Sequence, residues 1–214
     1  MTTIFHDECK CAVCGCTHTY LVIGSTNSFG YADLDFRPAE MQRSTMEYWL
    51  QECPECGYVS SSVEDEPLIT REFLEQKPYR TCEGIHFESE LAARFYKHYM
   101  ICMETEDVSG AFHSLLHAAW DCDDCEDMKN AVLCREKALQ FTNYMAEIDP
   151  ENAEAIQVIR MDILRRSRHF DELKAEFENK VFEEEAFEKA RVYQLKLAEQ
   201  KDDSQHTFRA VLDD

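Results

Sequence analysis

The sequence predicts an α+β protein in two parts. Residues 1–62 read as a small ribbon of three short antiparallel strands, residues 63–200 as a larger all-α domain of antiparallel helical hairpins, and residues 201–214 as a tail or short helix. Three observations predict this. Two Cys-x-x-Cys-Gly turns, Cys11-Ala-Val-Cys14-Gly15 and Cys53-Pro-Glu-Cys56-Gly57, bracket the N-terminal part. Stretches rich in β-branched and aromatic residues lie beside them, as at residues 17–23. Beyond Val63 the apolar residues switch to steps of three and four, the period of one helix face.

Each Cys-x-x-Cys turn presents two thiolates at a spacing that lets both sulfurs face a single ion at about 2.3 Å. The glycine after each is the residue that most readily takes the left-handed backbone of a tight turn. Two such turns, separated by residues 15–52, read as halves of one tetrahedral zinc site with Cys11, Cys14, Cys53 and Cys56 as ligands. Four thiolates close the shell, which suits a structural ion and leaves no position for a reactive water. Cys9 and Cys16 flank the first turn at two-residue steps, where an extended chain repeats a face, so either could stand in for a neighbouring ligand, although bystander is the preferred reading; His18 is a weaker substitute still. A redox reading of Cys-x-x-Cys needs a βαβ context and a helix opening after the first cysteine, and neither is present.

In chain order, residues 1–8 read as a loose lead-in and residues 17–23 as the first strand, ended by the glycine- and serine-rich residues 24–30. Residues 31–40 form a polar loop. Residues 44–51 read as the second strand, with Met46, Tyr48 and Leu50 alternating against Thr45, Glu47 and Trp49, and residues 58–62 as the third. A unit of this size holds little core, so bound zinc supplies much of its folding free energy, on the order of 10 kcal/mol in small zinc peptides.

Pro67 fits the first turn of a helix carrying Ile69 and Phe73, which Lys77-Pro78 stops. Phe87, Leu91, Phe95 and Tyr99 recur every four residues as an amphipathic helix. Gly110 marks a break before a helix with Phe112, Leu116 and Trp120. Cys134, Ala138, Phe141, Met145 and Ile148 share one face of a single further helix. Asp149-Pro150 reads as an N-cap followed by proline at the first helical position. The helix it opens carries Ile156 and Ile163, and ends near Arg165, Arg166 and Arg168, cations that suit a helix C-terminus. Asp171 then caps a helix with Leu173, Phe177 and Val181, and a last helix runs over residues 184–200 from the solvated start Glu183-Glu184-Glu185. The tail keeps a weak apolar trio, Phe208, Val211 and Leu212. Residues 131–173 resemble a degenerate tetratricopeptide (TPR) repeat, without the Trp-x-x-Leu-Gly opening of that consensus.

Composition excludes several function classes. The chain carries 22 Lys and Arg against 43 Asp and Glu, a net charge of −21. A duplex-binding protein must neutralise phosphates and release their counterions, so nucleic acid is an unfavourable partner and a basic one a favourable partner. No apolar run reaches about 18 residues, so no membrane-spanning helix is expected, and the N-terminus lacks the basic and apolar regions of a signal peptide. Eleven cysteines is an odd number, so a fully paired disulfide framework is impossible within one chain. A reducing, cytoplasmic compartment is expected. No P-loop, G-x-G-x-x-G, G-x-S-x-G or H-E-x-x-H motif occurs, and no catalytic residue is assigned.

Two further groups stand out. His98 with Cys102, His113 with His117, and Cys122 with Cys125 fall at i, i+4 or i, i+3 and offer paired ligands for a second metal site if their helices converge. The loop bearing Asp33, Asp35 and Arg37 is either a functional surface or an internal bridge that pins the excursion between the cysteine turns.

The knuckle pair, the polar loop, the run from Trp49 through Cys53 and Cys56 to Tyr58, and the helical remainder together resemble a bacterial family. Its members carry an N-terminal zinc-ribbon-like domain of unknown function followed by tetratricopeptide-like helices. The resemblance implies a cytoplasmic bacterial protein whose ligands fall on Cys11, Cys14, Cys53 and Cys56, and it implies no reaction. The expectation is a zinc-binding, non-enzymatic protein–protein interaction module with a protein or peptide partner on its concave helical surface, in an oligomeric state left open. The alternatives are a metalloenzyme or thiol redox sensor using the helical His and Cys pairs and, less well supported by charge, a nucleic-acid-binding ribbon.

Overall fold

The computed structural model describes residues 1–212; Asp213 and Asp214 of the expected tail lie outside them. The chain forms two compact units, one of Met1–Ser28 with Met41–Ala131, the other of Phe29–Glu40 with Val132 onward. The division does not follow a single cut at residue 62, because Phe29–Glu40, between the two cysteine turns in sequence, packs with the second unit.

In the first unit, β1 (Thr3–Lys10) pairs antiparallel with β2 (Thr17–Ser25) across the first cysteine turn. The expected lead-in is thus a strand. Its polar residues hide the alternation, but cross-strand pairs such as Ile4 with Ile23 and Phe5 with Val22 hold it. The second cysteine turn joins β3 (Gln51–Glu52) to β4 (Val59–Ser60), so the strands make two two-stranded sheets in place of one three-stranded ribbon. Most of the segment expected as the second strand is a 3-10 helix, Arg43–Tyr48. Thr45 Oγ1 donates to Gln42 O at 2.7 Å and accepts from Trp49 Nε1 at 2.9 Å. This local bonding turns a stretch whose short alternation suits either conformation.

Three helices of this unit, α1, α3 and α4, open on side-chain caps. Thr70 caps α1 (Arg71–Glu75), leaving Pro67 ahead of it, and Pro78 lies in the first turn of α2 (Lys77–Arg80) instead of stopping a helix. Ser89 caps α3 (Glu90–Glu104) and Asp107 caps α4 (Val108–Asp124). Gly110 is therefore inside a helix. It sits there because α3 and α4 pack closely: a Cβ on Gly110 would lie 2.7 Å from Cys102 Sγ and would overlap the Asp107 carboxylate. Gly110 N–H also donates to Asp107 Oδ1 at 2.8 Å. Gly110→Ala gains helix propensity but disturbs this cap and the buried thiol. A net loss of about 1–2 kcal/mol is expected in urea unfolding, where a gain would contradict the close approach.

In the second unit, the expected single helix over Cys134 to Ile148 is broken into α5 (Met128–Leu139) and α6 (Thr142–Ile148), where Thr142 Oγ1 donates to Leu139 O at 2.8 Å. After Asp149 and a short 3-10 turn come α7 (Ala153–Arg166), α8 (Phe170–Phe177), α9 (Glu185–Glu199) and α10 (Arg209–Leu212). The residue that caps α8 is His169, and Asp171 lies in its first turn. Four helix exits, at Glu106, Glu126, Arg168 and Lys201, take left-handed backbone without glycine. At each, the next amide returns to a carbonyl five residues back, as Asp107 N–H does to Cys102 O and Asp127 N–H to Cys122 O, both at 2.8 Å.

The core of the second unit gathers Val158, Met161, Leu164, Leu173 and Phe177 around Leu34, which the loop Phe29–Glu40 supplies. Leu34 N–H donates to His206 O at 3.0 Å, and Phe208 N–H to Ala32 O at 2.9 Å. Asp33, Asp35 and Arg37 are each 2% exposed. The loop is architecture, not an open surface. Arg165 is fully buried as well, so it does not serve as a solvated cation at a helix end.

Burial, reinforced by Asp162 and opposed by Arg135 and Arg166, pushes Asp35 from the ordinary 3.8 up to about 6. The fold thus favours the protonated acid: its contribution is full below the unfolded value and is lost as pH rises through about 6. Asp35→Asn keeps an acceptor for Arg37 N–H (3.3 Å to Asp35 Oδ1) without the charge. It is expected to be near neutral in urea unfolding at about pH 3.5, below the unfolded value, and to stabilise by about 1–3 kcal/mol at about pH 7.5. Destabilisation growing with pH would mean instead that the carboxylate is ionised and paired.

Candidate metal centre

The two cysteine turns are built alike. In the first, Cys11 N–H donates to Cys16 O and Gly15 N–H to Cys11 O, both at 2.8 Å, with Gly15 at φ +76°. In the second, Cys53 N–H donates to Tyr58 O and Gly57 N–H to Cys53 O, again at 2.8 Å, with Gly57 at φ +75°. A side chain at either glycine would have to adopt the left-handed conformation at a cost of about 1–2 kcal/mol.

The turns bring four sulfurs together. Cys11 Sγ lies 3.7 Å from Cys56 Sγ, Cys14 Sγ lies 3.6 Å from Cys53 Sγ, and all four are within 4.8 Å of one another. A disulfide needs about 2.05 Å, so these are neighbouring thiols. A regular tetrahedron on metal–sulfur bonds of about 2.3 Å has edges of about 3.8 Å, so the cluster has the dimensions to hold a metal ion. Cys11 and Cys53 are buried and Cys14 and Cys56 half-buried.

Backbone amides prepare the sulfurs for negative charge. Burial opposes ionisation of Cys14, but the N–H of Cys16 and hydrogen bonds from the neighbouring thiols outweigh it and lower its pKa to about 7. Cys53 and Cys56 are raised, first by burial, while N–H groups of Glu55 and Cys56 on the one and of Tyr58 on the other pull the opposite way. The surroundings thus favour the thiolate at Cys14 over those at Cys53 and Cys56, and a divalent cation would displace thiol protons as it binds.

Several positioning residues have no signature in the spacing. Tyr79, buried, donates its hydroxyl to Gly57 O at 2.5 Å. Gln51 Oε1 accepts from Val63 N–H at 3.0 Å while its Nε2 lies 3.9 Å from Cys9 Sγ. Cys9 is buried and Cys16 half-buried beside Cys14, and neither joins the four-sulfur group.

No family model, curated protein or solved structure matches the chain. Among the described residues, this is also the one group of three or more His, Cys, Asp or Glu side chains whose ligand atoms converge. The paired ligands of the helices form no group of three or more. The rings of His113 and His117 stand 6.3 Å apart, and Cys122 is buried while Cys125 is exposed. Cys102 Sγ does lie 3.6 Å from His98 Nδ1, but burial pushes the thiol up to about 12 and the imidazole down, the reverse of a thiolate–imidazolium pair. Ser204, His206 and Asp202 also sit together without forming a nucleophile. Ser204 Oγ donates to Asp202 Oδ1 at 2.5 Å, so its proton is held by the carboxylate and not by the imidazole. No helix of the described residues is long and apolar enough to cross a membrane.

Proposed function

We propose that the chain binds one structural zinc ion through Cys11, Cys14, Cys53 and Cys56 and acts as a non-enzymatic protein–protein interaction module. The observation that carries this is the four-sulfur cluster, whose separations of 3.6 and 3.7 Å suit a tetrahedral ion. A tetrahedral S4 set selects zinc or an iron centre. Zinc needs no electronic preference to sit there, and with four thiolates it keeps no open position for catalysis. Eleven free thiols support a reducing, cytoplasmic compartment. The net charge of −21 favours protein partners of basic character over nucleic acid. The helices, read as TPR-like hairpins, are the scaffold of the module, in keeping with the bacterial family that the same residues resemble.

X-ray absorption at the zinc edge tests the closed shell: four sulfurs at about 2.3 Å are expected. A first shell containing an oxygen ligand would move the site to the catalytic class.

A further inference from the structure

The first cysteine turn lies at one end of a two-stranded ribbon whose outer edge is only partly used. Among the described residues, β1 pairs with β2 alone. Hydrogen-bonding direction alternates along an antiparallel strand, and two bonds set its phase here. Cys11 N–H points inward to Cys16 O, and Lys10 N–H points outward to Glu64 Oε1 at 3.0 Å. Phe5, Asp7 and Cys9 therefore bond β2, while Ile4, His6 and Glu8 direct their N–H and C=O groups away from it.

At the metal end the chain covers this edge itself. Ala12 N–H donates to Val63 O at 2.9 Å and Lys10 N–H to the Glu64 side chain, so residues 63–64 lie along this edge. That cover stops at Lys10. Among the described residues, no backbone hydrogen bond from outside the ribbon reaches Glu8, His6 or Ile4. Every β1 residue except Cys9 is exposed, with Ile4 at 41% and Phe5 at 51%. β2, in contrast, lies against the 3-10 helix Arg43–Tyr48, and its Tyr20 hydroxyl donates to Glu52 O at 3.4 Å.

We propose that the β1 edge takes up an extended, basic segment of a partner protein as an added antiparallel strand, continuing the line that residues 63–64 begin. The proposal rests on the interaction-module reading and names its surface. A row of alternating N–H and C=O groups recognises an extended backbone. Asp7, Glu8 and Glu64 flank the row against Lys10 alone, so lysine or arginine in the incoming strand is complementary. Ile4 and Phe5, on opposite faces of β1, favour apolar residues between those cations. A second copy of this chain is a poorer occupant, because it would bring the same acidic edge against itself.

The test uses the full-length, zinc-loaded protein and a labelled synthetic peptide of alternating lysine and valine, followed by fluorescence anisotropy. Saturable binding that weakens with salt is expected, and the glutamate–valine counterpart should not bind. His6→Pro removes an N–H that β2 does not use, a change edge strands tolerate, and should weaken binding about tenfold or more. N-methylation of alternate residues of the peptide should do the same without altering the protein. Equal binding by the N-methylated peptide or by the glutamate peptide would overturn the proposal. So would a concentration-dependent dimer that His6→Pro abolishes, since the edge would then belong to a second copy. Zinc counted on the same samples separates the two readings: peptide binding without metal sinks the structural-zinc function, and metal without peptide binding sinks the edge.

Discussion

Cys53→Ser is expected to yield a protein without stoichiometric zinc whose residues 9–28 and 41–62 are open to protease, while residues 29–40 stay packed in the second unit. Cys53 is fully buried, and its sulfur touches that of Cys14 at 3.6 Å. A serine oxygen there is smaller, harder and protonated at neutral pH, so it cannot replace a thiolate. The two turns come from distant stretches and are flanked by strands only two residues long on the second side. Without the ion, a stabilisation on the order of 10 kcal/mol is lost from a segment with little core of its own. α3 should loosen in part, because Lys97 Nζ bonds Glu52 Oε1 at 2.5 Å and Arg94 Nη1 bonds Leu50 O at 3.3 Å. Most of the helical circular dichroism should remain. Cys9→Ser and Cys16→Ser should keep the metal. Collapse of the whole helical signal in Cys53→Ser, or metal loss in Cys16→Ser but not in Cys53→Ser, would contradict the ligand set.

Arg165→Met should destabilise the second unit by about 3–5 kcal/mol in urea, the range for removing one partner of a buried ion pair. Arg165 is 0% exposed; its Nη2 donates to Asp162 Oδ1 at 2.6 Å and its Nη1 to Ser204 O at 2.6 Å and Asp202 O at 3.0 Å. Methionine fills much of the volume but leaves Asp162, 2% exposed, with an uncompensated charge, and orphans two carbonyls. The double change Asp162→Asn, Arg165→Met should recover part of the loss, because no buried charge is then left alone. A single substitution costing under about 1 kcal/mol would show that the guanidinium is not anchored as described.

The α+β class and the two cysteine turns were legible because their signals are local. Cys-x-x-Cys-Gly encodes its own turn, and the four-residue steps at Phe87, Leu91 and Phe95 encode a helix face. What was not legible depends on distant partners. Nothing in Thr3–Lys10 marks a strand until β2 lies beside it. The alternation at Met46, Tyr48 and Leu50 gave no hint that Thr45 would bond its own backbone and curl the segment. The helix exits at Glu106 and Glu126 carry no glycine, so no local signal places a turn there, and Gly110 reads as the break instead. An internal bridge at Asp35 and Arg37 is one of the two readings of the polar loop, but that the loop packs against residues 206–208 depends on a distant partner that spacing does not show. The convergence of His98 with Cys102 could be read from spacing, but its chemical inertness follows from burial, which spacing does not show.

The most direct test of the account is a metal count on the full-length protein, purified under reducing conditions and analysed by mass spectrometry of the elements. The account predicts one zinc per chain, lost when Cys11, Cys14, Cys53 or Cys56 is replaced and kept when Cys9 or Cys16 is. A protein that is folded and free of metal, or one that holds a second equivalent, would contradict it.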